Sequence, residues 1–160
     1  MAKPSLPLIT ALRATADRIE SGARFHWNHM GSCNCGHLAQ TLTQIEPKKL
    51  HQMALANAGD WSEQARDYCP DSGYPLDRII EIMVSAGLNT VDIANLERLS
   101  DTEVLTRMGY KSCDIPPDFR TREDAVSYMR AWADVLETKW RKGMEHQGAK
   151  PAAAANTEFV

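Results

Sequence analysis

Residues 26 to 37 read His-Trp-Asn-His-Met-Gly-Ser-Cys-Asn-Cys-Gly-His, and three of the chain's five histidines and two of its four cysteines fall within them. Imidazole and thiolate are the common ligands of soft and borderline metal ions. Such a concentration of both groups points to a chemical site, with a metal site as the first reading. Cys33 and Cys35 stand two apart, which on a regular helix turns them to different sides. In a loop or at a helix entrance, both can face one ion. Ser32 or Asn34 is the expected N-cap of the helix that follows. The cysteines then fall at its first turn, where the helix dipole and free N–H groups favour thiolate.

His37 lies two residues beyond Cys35, and His29 lies four before Cys33. Cys69, followed by Pro70, is the expected remote contributor, because Cys-Pro also follows cluster ligands in some ferredoxins. The expected ligand set is Cys33, Cys35, His37 and Cys69, with His29 in reserve. It suits tetrahedral Zn2+ first and an iron–sulfur cluster with one non-cysteine ligand second. The spacing is not that of a zinc finger, and no Cys-x-x-Cys-His is present for covalent haem.

Three other uses of the same residues are open. In a thiol enzyme, Cys35 would be the nucleophile at a helix start and His37 its base. In a redox protein, Cys33 or Cys35 would pair reversibly with Cys69. In an interaction protein, a structural metal would only staple loops together. Cys113, alone among prolines, reads as a buried, inert thiol. His51 and His146 read as solvated, His26 as a surface side chain, and Met30 as core filler.

The elements that must hold these residues are helices. Leu8, Leu12, Ala16 and Ile19 mark one face. Leu38, Leu42 and Ile45 mark a second helix, and Pro47 opens a third. A short helix follows Ser62. Leu76, Ile79, Ile80, Met83 and Val84 form the clearest amphipathic stripe. Thr90 and Ser100 are the expected caps of two short helices, and Thr121 opens the longest. No run alternates over a strand's length. The fold class is therefore all-α, a single-domain bundle of about six to eight helices over residues 1–147, with irregular segments at 23–36, 68–75 and 109–120. An alanine-rich tail at 148–160 is expected to be mobile.

Composition narrows the function. The chain has 160 residues, 43% hydrophobic and 24% charged, with a net charge of −3 and a pI of about 5.9. That is the make-up of a globular domain. No basic stripe suggests a nucleic-acid partner, and Lys48-Lys49 reads as a solvated face. No apolar stretch is long enough for a bilayer, and no signal-peptide core is present, so a cytoplasmic protein is expected. In a reducing compartment, clustered cysteines favour metal or redox chemistry over structural disulfides.

Overall fold

In the computed structural model, which describes residues 1–148, the chain folds into eight helices with no strand among the described residues. The expected tail beyond Gly148 lies outside the described residues. The helices are α1 (Leu6–Glu20), α2 (Asn34–Thr43), α3 (Pro47–Ala54), α4 (Trp61–Arg66), α5 (Pro75–Ser85), α6 (Thr90–Arg98), α7 (Thr102–Arg107) and α8 (Arg122–Gly148). The all-α expectation holds.

Local chemistry sets the boundaries. Ser5 caps α1, its Oγ accepting from the Leu8 N–H at 3.3 Å. Prolines open α3 and α5, where the missing N–H costs nothing. Capping boxes close the starts of α4, through Asp60 and Glu63, and α6, through Asn89 and Asp92. Three expected caps are thus displaced by one or two residues. Asp60 caps in place of Ser62, Asn89 in place of Thr90, and Asp101 in place of Ser100. In each case a carboxylate or amide stands within two residues of the hydroxyl residue, before it at Asp60 and Asn89 and after it at Asp101, and reaches the N2 or N3 N–H groups.

α1 lies along α8, α7 joins them on α8, and α4 packs on α6. α2 touches α1, α3, α5 and α6. Its first six residues, Asn34 to Ala39, are all buried. One apolar cluster, including Leu12, Leu38, Ile80, Ile93 and Met129, runs through these contacts. The Cys/His segment therefore feeds directly into the helix on which much of the bundle is packed. No single helix among the described residues is long and apolar enough to cross a membrane.

Candidate functional site

The segment before α2 is a series of tight turns. His29 N–H donates to His26 O, while Ser32 and Cys33 N–H both donate to His29 O, at 2.8 and 2.9 Å. Cys33, not Ser32 or Asn34, is the N-cap of α2. Its backbone is extended (φ −82°, ψ −176°), and its Sγ accepts from the Gly36 N–H at 3.5 Å. Asn34 sits one position later and sends its amide across the fold, donating to Glu97 O at 3.2 Å and Phe119 O at 3.3 Å. The sequence missed two further supports. Buried Trp61 donates its indole N–H to Met30 O at 2.9 Å, and Gln40 donates to Gly31 O at 2.6 Å.

The five expected ligands do not come together. Among the described residues, no group of three or more His, Cys, Asp or Glu side chains is placed to hold an ion. All four cysteines are free thiols, with Cys33 and Cys35 buried and Cys69 and Cys113 exposed. Cys35 has no exposed surface, and its thiol donates to Ile93 O at 3.3 Å in the core. Burial pushes the Cys33 thiol up to about 12 and raises Cys35 as well, so burial outweighs the helix start that was expected to favour thiolate. Cys69 lies in the turn before α5, its N–H directed at Asp77 Oδ2. Cys113 corrects the expectation of a buried thiol. It belongs to the exposed run 111–116, in which Ile115 is 88% exposed.

The histidines show a common pattern. Nδ1 of His26 accepts from the Asn28 N–H, that of His29 from the Gly31 N–H, and that of His51 from the Met30 N–H, at 3.2, 3.2 and 3.1 Å. His37 places Nε2 2.8 Å from Arg24 O, and a carbonyl can only accept, so Nε2 carries the proton. Its Nδ1 faces the guanidinium of Arg18 at 3.4 Å. All four rings are thus set as the Nε2–H tautomer, with Nδ1 turned toward protein donors. A histidine ligating through Nε2 needs the reverse, with Nδ1–H held by an acceptor. His51 also corrects the expectation of a solvated ring, since it stacks on His29 with centroids 4.0 Å apart.

His37 gives the segment a pH dependence. Burial, with smaller contributions from Arg18 and Arg122, lowers its pKa to about 4, against the hydrogen bond it donates to Arg24 O, which raises it. An unfolded histidine takes its proton near 6.5. Between these values the unfolded chain holds more protons. Stability should be full above about pH 6.5 and fall by about 3 kcal/mol as pH drops toward 4. Urea midpoints at pH 7, 5.5 and 4.5 measure this. His37→Gln keeps a donor for Arg24 O, removes the titration and should flatten the profile. An unchanged slope in that variant would assign the acid sensitivity elsewhere.

On one side of the turns lies a cavity of about 290 Å3. Cys33 and Asn34 contribute from the start of α2, His51 and Leu55 from α3 and its end, and Glu97 and Arg98 from the end of α6. Trp27 and Phe119 also line it, ring edge to face with centroids 6.3 Å apart. Arg98 lies over the Phe119 ring at 4.9 Å and pairs with Asp60 at 3.0 Å. Glu97 accepts from the N–H and hydroxyl of Ser62, and burial raises its pKa. Asn34 is 2% exposed, and its Oδ1 has no hydrogen-bond partner.

Comparison with protein-family models, curated proteins and solved structures finds no match. Function is therefore read from the site itself.

Proposed function

We propose that this chain is a binding protein and that the cavity beside Cys33 seats its ligand, a small molecule with an apolar body and an N–H donor. The observation that carries this reading is the pairing of an apolar wall with unsatisfied acceptor capacity. Trp27 is 50% exposed and Leu55 65%, both lining a concave site. Asn34 Oδ1 is buried without a donor, and the carboxylate of Glu97 stands in the same wall. Pockets of this kind bind through apolar contact and are oriented by a few polar groups. In this reading the Cys/His segment is framework. One nitrogen of each ring and both buried thiols are engaged by backbone N–H or carbonyl groups, which gives these residues a role without a bound ion.

A screen of small aromatic amides and amines, followed by amide NMR, tests the reading. Hits should move the resonances of Trp27, Leu55 and Phe119, and Trp27→Ala should weaken them about 10-fold, as loss of an aromatic anchor does. Hits that map elsewhere, or that ignore Trp27→Ala, contradict it. The rival proposal is Zn2+ or an iron–sulfur cluster on Cys33, Cys35, His37 and Cys69, with His29 in reserve. Stoichiometric metal in protein purified without an affinity metal, lost in Cys69→Ser, would replace the pocket reading with that one.

A further inference from the structure

On the other side of the same turns is a second cavity of about 420 Å3, lined by Ala23, Arg24, His29, Ser32, His37, Gln40, Pro47 and Lys48. It contains two cationic side chains and no carboxylate. The composition behind its wall is equally one-sided. Arg18 gives its guanidinium to the Thr41 hydroxyl at 2.8 Å and His37 O at 2.6 Å, and its Nε is buried without a partner. Arg122 gives its guanidinium to the carbonyls of Ile19 and Ala23. Among the described residues, neither these two arginines nor Arg24 nor Lys48 has a carboxylate within ion-pair distance. Asp17 and Glu20, which flank Arg18 on α1, bond Arg130 instead, at 2.9 and 2.6 Å.

A guanidinium stays charged at any pH a folded protein meets. Arg18 and Arg122 are half-buried, and holding their charge against neutral acceptors alone leaves it uncompensated until a counter-charge arrives. Arg18 and Arg122 both act on the ring of His37, which lines the cavity, so their field reaches its wall. Several donors in that wall are also free. His29 spends Nδ1 on the Gly31 N–H, which leaves Nε2–H as a donor. Ser32 is 2% exposed, and its hydroxyl makes no hydrogen bond among the described residues. With Arg24 and Lys48, that makes four donor-bearing side chains around one concave space.

We propose that this cavity is an oxyanion site for a phosphate group, supplied as free phosphate or as a phosphate monoester. The donor set favours it. A tetrahedral oxyanion accepts from several directions at once, and a guanidinium, an ammonium, a hydroxyl and a neutral imidazole N–H all donate. The site is independent of the cavity beside Cys33, since the two share no lining residue.

Titration of the full chain with inorganic phosphate, read by calorimetry and amide NMR, tests it. The expected result is saturable binding at one equivalent, with shifts at Arg24, His29, Ser32 and Gln40, that chloride at equal ionic strength does not reproduce. Arg24 and Lys48 are exposed, so Arg24→Gln and Lys48→Gln should fold normally. Each should weaken phosphate binding about 3- to 10-fold, and together more. Ser32→Ala should weaken it with no change in net charge. Phosphoserine provides the second arm. Tighter binding than inorganic phosphate marks a monoester as the source, and equal or weaker binding marks free phosphate. A response that does not saturate, that chloride matches, or that the Arg24→Gln/Lys48→Gln double variant retains in full overturns the proposal.

Discussion

Gly36→Ala is expected to cost about 3 kcal/mol or more, because overpacking here falls on backbone rather than on a side chain that can swing away. A Cβ at Gly36 would lie 2.5 Å from the carbonyl carbon of Gly31 and 2.8 Å from its Cα. Gly31→Ala should be at least as severe, since its Cβ would overlap the Pro47 carbonyl and lie 2.8 Å from Pro47 Cα. The two glycines thus form a stack of close backbone approaches: the start of α2 on the turn, and the turn on the start of α3. By contrast, a Cβ at Gly73 or Gly143 meets nothing within 4 Å. Gly143→Ala, on exposed helix, should be neutral or slightly stabilising. Urea denaturation of the three variants compares them directly. A Gly36→Ala protein within 1 kcal/mol of the parent would show that the turn does not press on α2 as described.

The four thiols should divide sharply. In native protein with chelator present, Cys69 and Cys113 should react with a disulfide reagent at ordinary rates, and Cys33 and Cys35 only on unfolding. For Cys33, raising the pKa from 9 to about 12 alone lowers the thiolate population about 1,000-fold near neutral pH. Cys35 is further sequestered, with no exposed surface and its proton held by Ile93 O. Stopped-flow release of the reporter anion, with mass mapping of the modified residues, measures the split. Reaction of Cys35 at the rate of Cys69 would restore it as a nucleophile, with His37 as the base to examine. The same result would show that burial does not govern this helix start.

Much of the fold was legible because its signals are local. Apolar spacing of three and four marks α1, α5 and α8, and prolines and glycines punctuate the rest. The caps were harder to place. An acid or amide and a hydroxyl often stand side by side, and which one turns inward depends on the backbone angle at that residue. At the Cys/His segment the residue types were legible as a place of unusual chemistry, but their partners were not. His51 is 22 residues from His29, Ile93 is 58 from Cys35, and Glu97 is 63 from Asn34. Nothing in the spacing of the cysteines tells whether a thiol will meet an ion or a carbonyl of α6. The basic cavity was hidden for the same reason. Arg18, Arg24, Lys48 and Arg122 form no run in the chain, and only the packing of α1 on α8 and the folding of α2 against α3 gather them. A weaker local sign was present in the pair Gly31 and Gly36, which bracket the two cysteines where a turn must pass close to a helix start.

The tautomers of the histidine rings separate framework from metal centre, and 15N NMR of the imidazole nitrogens reports them directly. At pH 7.5, His26, His29, His37 and His51 should show a protonated Nε2 and an unprotonated Nδ1, and one equivalent of Zn2+ should leave them unchanged. His146 is the internal control. Its Nδ1 lies 2.8 Å from Lys142 O on α8, so it should show the opposite tautomer. Nδ1–H tautomers at His29 and His37, or ring shifts on adding zinc that are lost in Cys33→Ser, would contradict the framework reading and make the segment a metal centre.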